Sequence, residues 1–223
     1  MSRLVLFVDG EGDVEAAPVL VSRLWTELPP ELLIGFVDTK PLRTGGLARL
    51  TGRCADKWTQ YLQIAAARPN CGGVLLLLDA DTLEDAGKCV RDTAQLLAEA
   101  ARDVGGGTLY SVAVVFFQKE YESLLIASYP FLPGRREGVT LPENVEVAPR
   151  GAKGWLKKNL EGGYKETQDQ ANLTRCIDFK HLRTRQIRSF RRLEHAVKEL
   201  AIAIATGQHI ISPSRVVTGT NTA

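Results

Sequence analysis

Three short stretches of the chain are apolar without interruption: residues 4–8, 74–78 and 112–117. A strand with one wet face alternates apolar and polar positions, so unbroken runs of this length predict strands buried on both faces, as in a parallel sheet. A weaker run at 32–37 predicts a fourth. Between the runs the spacing changes to that of helices. Residues 14–28 carry an apolar stripe, with Pro18 best suited to a first turn. Residues 55–67 and 85–102 form two further helices, and Gly105, Gly106 and Gly107 close the second. This alternation predicts an α/β domain over residues 1–132, a largely parallel sheet flanked by helices.

Pro130, Pro133 and Gly134 then open a loop, 133–149, with Pro142 inside it. Beyond it the charge pattern shifts. Residues 150–200 hold thirteen Lys or Arg against six acids, an excess of seven in a chain whose formal net charge is only +2. We read 150–207 as a basic helical extension packed on the α/β domain. Its best amphipathic helix is 189–205, with Ser189 as N-cap and Gly207 as the stop. Residues 208–223 read as a flexible tail. No internal repeat is visible.

Composition narrows the class. At 44% hydrophobic and 24% charged over 223 residues, the chain is ordinary globular protein. The cysteines at 54, 71, 89 and 176 lack two-residue spacing, and three histidines add little, so structural zinc is not expected. The opening residues reach acids at once and show no small-residue cleavage site, and no apolar run approaches the 18–20 residues of a membrane span. The default reading is reduced thiols in a cytoplasm, with no membrane partner.

Ligands of parallel α/β sheets bind beyond the carboxyl ends of the strands. Here those positions are acidic. Asp9, Glu11, Asp13 and Glu15 follow the first run, Asp79 and Asp81 follow 74–78, and Lys119, Glu120 and Glu122 follow 112–117. If the strands are neighbours, several carboxylates share one small volume, which is unfavourable unless a cation neutralises them. Magnesium suits such a site, because it is hard and takes one or two carboxylates with water and phosphate. The alternative is helix capping, for which Asp13 and Asp81 are well placed. Gly10 and Gly12 lack the third glycine of a dinucleotide fingerprint, and neither a P-loop nor a Gly-x-Ser-x-Gly elbow occurs.

The stretch from Val8 to Ala16, with Pro18, Val19 and Leu20, resembles the opening of a bacterial family of unknown function with a Toprim-like fold. Toprim domains, shared by primases, topoisomerases and OLD-family nucleases, carry a glutamate after strand one and an Asp-x-Asp after a later strand. The similarity continues through residues 75–81, 119–125, 152–156 and 164–170, then Ser189 and Phe190, about nine tenths of the chain. One position departs: Asp9 stands where the family generally has glutamate, and Glu11 is the residue placed to compensate.

The resemblance implies Mg²⁺- or Mn²⁺-dependent phosphodiester hydrolysis. Asp79 and Asp81 would hold the metal, with Asp9 or Glu11 ligating it or activating water. Glu120 or Glu122 would complete the shell and Lys119 would steady the phosphate. It further implies an effector working beside a partner ATPase in defence against phage. Self-association is left open, as is a catalytically degenerate module that docks on the ATPase. The basic residues Lys180, Arg183, Arg185, Arg188, Arg191 and Arg192 offer a track for DNA or RNA phosphates. A docking patch for an acidic partner and a merely solvated face are the alternatives.

Overall fold

The structure, a computed structural model, describes residues 1–147 and 151–214, without the side chain of Cys54. In chain order come β1 (Ser2–Val8), α1 (Glu11–Thr26), β2 (Gly35–Val37), β3 (Leu42–Arg43), α2 (Ala55–Ala66) and β4 (Cys71–Asp79). Next are α3 (Asp81–Asp85), α4 (Val90–Ala100), β5 (Ser111–Phe117) and α5 (Glu122–Ala127). The C-terminal part supplies α6 (Ala152–Asn159), α7 (Glu166–Arg175), α8 (Phe179–Thr184), α9 (Arg188–Thr206) and β6 (Ile211–Ser212). The strands run in the order β2-β1-β4-β5-β6, every pairing parallel, with β3 beside β1 past the end of β2. The molecule is an α/β fold with a parallel central sheet flanked by helices.

The unbroken apolar runs are explained by burial on both faces. Leu4, Leu6, Val8, Leu75, Leu77, Ala113, Val115 and Phe117 meet α1, α7 and α9 on one side. The intervening Val5, Phe7, Val74, Leu76, Leu78, Val112, Val114 and Phe116 meet α2 and α4 on the other. The basic C-terminal segment therefore builds a layer of the core: Phe190, Leu193, Val197 and Leu200 pack in one cluster with Leu4 and Leu6.

Several boundaries differ from the sequence expectation. Helix α1 starts at Glu11, which places Pro18 inside it. Proline in a helix interior sacrifices a hydrogen bond, but Pro18 is buried in a helix packed against both the sheet and α7, and tertiary contact prevails. The helix expected over 85–102 begins only at Val90, because a short helix ends at Asp85 and Gly87, at a left-handed φ of +61° that suits glycine, parts the two. The N-cap of α9 is Ile187, and its first amides are met from a distance: Glu146 accepts from the N–H groups of Arg188 and Ser189 and from the Ser189 hydroxyl, each within 2.8 Å. Gly207, at φ +69°, ends this helix as expected. The expected tail begins differently, because Ile211 and Ser212 add a parallel strand to β5 and bury Ile211 there. Residues 215–223 of that tail, and residues 148–149 of the expected loop, lie outside the described residues. Among the described residues, no helix is long and apolar enough to cross a membrane. Cys71, Cys89 and Cys176 are free thiols.

Candidate active site

Because β1, β4 and β5 are adjacent and parallel, the residues after each of them emerge side by side at one edge of the sheet. Asp79 is the last residue of β4 and accepts the Tyr121 N–H at 2.9 Å. Burial pushes its carboxyl well above the usual range, and the charges of Asp13, Glu122, Asp9 and Asp81 add to the effect. Asp9, half-buried just past β1, is raised first by burial and then by Asp13, against a hydrogen bond from the Asp79 backbone. Asp13 lies in the first turn of α1. It accepts the Gly10 N–H at 2.9 Å and the Gln170 amide at 2.7 Å, yet burial still raises its pKa. Asp81 accepts the Thr82 N–H at 2.6 Å.

Glu122, 1% exposed at the start of α5, completes the group. Burial brings its carboxyl up to about 7, opposed by Lys153 and by a hydrogen bond from the Tyr164 hydroxyl at 2.9 Å. Lys153 is the cation of the site. Its ammonium lies 3.8 Å from Glu122 and pairs closely with Glu166. Burial works against its charge, but Glu166, Glu122 and Asp79 outweigh that cost and raise its pKa. Glu166 and Gln170 lean from α7 over Gly12, where a Cβ would stand 2.2 Å from the Gln170 carbonyl oxygen and 2.3 Å from Glu166 Cγ. The second glycine of the opening motif thus exists to let α1 and α7 close over the acids.

The expected residues divide. Asp9, Asp79, Asp81 and Glu122 come together and feel each other's charge. Glu11 does not join them: its side chain is 73% exposed and pairs with Arg43 at 3.2 Å. Lys119, with a left-handed φ of +69°, turns to Glu84 at 2.8 Å. Glu120 has one carboxylate oxygen buried without a hydrogen-bond partner among the described residues. Of the residues the structure adds, Asp13 reads from sequence as a cap, while Lys153, Tyr164, Glu166 and Gln170 have no periodic signal. Their one mark in the sequence is that they lie inside the stretches 152–156 and 164–170.

The donor set is all carboxylate oxygen, buried and mutually repelling, which fits a hard divalent cation held by one or two carboxylates. It does not fit a closed cage: among the described residues, no three His, Cys, Asp or Glu side chains are grouped to hold a metal ion.

The basic residues are spread over two helices and are not equivalent. Arg183 pairs with Glu27 and with Glu194, and Arg185 donates to the carbonyls of Pro142 and Glu143 at 3.0 and 3.1 Å. Both are occupied within the fold. Lys180, Arg188, Arg191 and Arg192 are exposed.

The chain matches a protein-family model. The model described as "Domain of unknown function (DUF4276)" covers residues 8–198, from the end of β1 into α9, and so includes the acids and the helices that close over them. No curated protein and no solved structure matches.

Proposed function

We propose, from the premise that the chain belongs to the DUF4276 family, that it is a magnesium- or manganese-dependent phosphodiester hydrolase of Toprim-like type. The reading rests on one observation. Asp9, Asp13, Asp79 and Glu122 are gathered at the carboxyl edge of a parallel sheet, all with raised pKa values, and Lys153 faces them. Perturbed titratable groups gathered at a sheet's carboxyl edge are the features by which candidate sites of chemistry are recognised.

Asp79 and Asp9 would hold the cation, with Asp81 at its margin. Bound there, the ion would supply Lewis-acid charge to a phosphate oxygen. The chain's own groups then have separate tasks. Lys153, on the short helix α6, offers its ammonium to a phosphate arriving over the acids, in the role first given to Lys119. Glu122 is poised near neutral pH to hold or release a proton, and the Tyr164 hydroxyl fixes its orientation. Gly12 lets Glu166 and Gln170 shut the site from one side. The exposed arginines of α9 supply sequence-indifferent attraction for DNA or RNA. With the resemblance, this supports a cytoplasmic effector that works beside a partner ATPase in defence against phage.

A second reading, a degenerate docking module, is favoured by Glu11, whose pairing with Arg43 leaves Asp9 uncompensated. Cleavage of labelled single- and double-stranded DNA and RNA, in Mg²⁺ or Mn²⁺, separates the two. The hydrolase reading expects Asp79→Asn and Lys153→Ala each to cut the rate by about 100-fold or more. Equal rates for these variants and wild type would leave the docking module as the account.

A further inference from the structure

Away from the acids, a cleft of about 560 Å³ opens between α4 and α9 along the outer edge of β5. It exists because β6 is short. β6 pairs only with Val112 and Ala113, so the rest of β5 has no strand beside it among the described residues, and Val114 and Phe116 line the cleft. Three arginines surround this apolar floor. Arg91 comes from α4, and Arg188 and Arg192 come from α9, four residues apart and so on one helix face. All three are exposed, and their guanidinium groups have no ion-pair partner among the described residues. They differ in this from Arg183 and Arg185, which the fold already occupies. The start of α9 plays no part, because Glu146 already accepts from its first amides.

One acid, Glu199, shares the cleft, accepting the Ser212 hydroxyl at 2.8 Å and lying 3.3 Å from His195. A bare inorganic anion would leave the apolar floor unused and would meet repulsion near this carboxylate. A ligand with phosphates at one end and hydroxyl or amine donors at the other uses every part of the lining. The volume falls within the roughly 300–1,000 Å³ of ordinary small-ligand sites.

We propose that the cleft binds a nucleoside phosphate. The phosphates lie on Arg91, Arg188 and Arg192, the base lies over Val114 and Phe116, and a sugar hydroxyl or base amine donates to Glu199. The site is separate from the acid cluster and does not depend on the hydrolase reading. Two sources supply this chemistry, a free nucleotide and the phosphorylated end of a nucleic-acid strand.

Isothermal titration of the full chain in EDTA, with ATP, pyrophosphate and a short 5′-phosphorylated oligonucleotide as probes, tests the site without engaging a metal. The expected result is that ATP or the oligonucleotide binds at least about tenfold more tightly than pyrophosphate. Arg91→Ala and Arg192→Ala should each weaken that binding by about tenfold or more, as loss of a charge-assisted contact does. Arg175→Ala, on α7 and outside the cleft, should leave it unchanged. Both arginines of the cleft are exposed, so melting curves close to wild type should show that the variants fold. ATP binding alone assigns the free nucleotide, and oligonucleotide binding that is lost with a 5′-hydroxyl strand assigns the strand end, whereas oligonucleotide binding indifferent to the 5′-phosphate, without ATP binding, would overturn the proposal. Pyrophosphate binding as tightly as ATP, indifference to both arginine substitutions, or no binding by any probe would overturn the proposal.

Discussion

The two ends of the same parallel sheet treat buried carboxylates in opposite ways. Toward the amino end, where the short β2 pairs only with Ser2–Leu4 of β1, Asp38 follows β2 and is 4% exposed, yet its pKa is lowered. Burial opposes its charge, but Arg3 and Arg68, each 2.7 Å away, and the Lys40 N–H outweigh it. At the carboxyl end, buried Asp13 and Glu122 share one place with half-buried Asp9 and Asp79, and Lys153 does not hold their pKa values down. The first arrangement is a clamp, complete within the chain and tying β1, β2 and the turn before β4 together. The second is left short of positive charge. Two arginines neutralise one acid at the first place, while at the second several acids crowd around one lysine, and under the proposed function that shortfall is what a bound cation would fill. What separates the two places is the balance of charge, since Asp38 and Glu122 are both almost fully buried and their pKa values move in opposite directions.

The clamp is the simplest half of the comparison to break, and with the largest effect on stability. Asp38→Ala leaves Arg3 and Arg68 partly buried and facing each other. It should destabilise the fold by about 2–3 kcal/mol, the cost of breaking a buried pair discounted for the partial exposure of both arginines. Urea denaturation checks the size, and a metal titration of the same variant should match wild type.

A pH series sharpens the comparison with a smaller effect. Glu122 has a folded pKa of about 7 against an ordinary 4.5. A group raised in this way contributes stability that is present below the ordinary value and lost as the pH climbs through the folded one. The metal-free protein should therefore lose stability between about pH 4.5 and 7, with on the order of 3 kcal/mol from Glu122. Asp9, Asp13 and Asp79 push in the same direction. Asp38 acts oppositely: its contribution is present above an ordinary 3.8 and fades as the pH falls below it. Glu122→Gln should flatten the upper slope and leave the acid limb intact. A slope unchanged by that substitution would mean Glu122 is already ionised in the folded protein.

How much of this was legible in the sequence follows from how local each signal is. The three central strands announce themselves because five or more consecutive apolar residues bury on both faces, and the acids that follow them sit together by topology alone. That reasoning reaches Asp9, Asp79, Asp81 and Glu122. It fails for Glu11 and Lys119, because a position past a strand end does not say which way a side chain turns, and Arg43 and Glu84 draw these two aside. Lys153, Tyr164 and Gln170 were illegible as site residues because they arrive from α6, α7 and the turn between them, thirty or more residues further along, with no periodicity to aim them. Glu146 is the same kind of miss, capping a helix from forty-two residues away. Pro18 shows tertiary packing overriding a local rule, and β6 shows a strand too short for any pattern.

The central claim is that the carboxyl-edge acids are a divalent-cation site and the Asp38 clamp is not. The most direct measurement is the melting temperature at pH 7.5 as Mg²⁺ or Mn²⁺ is added to wild type, Asp38→Ala and Asp79→Asn. Selective binding to the native state should raise the melting temperature of both of the first two, through a stabilisation of about 2.7 kcal/mol at a hundred times Kd. Asp79→Asn should start higher than wild type in EDTA, relieved of repulsion, and show no response to metal. A wild-type melting curve indifferent to both ions, or an Asp79→Asn response equal to that of wild type, would contradict the account.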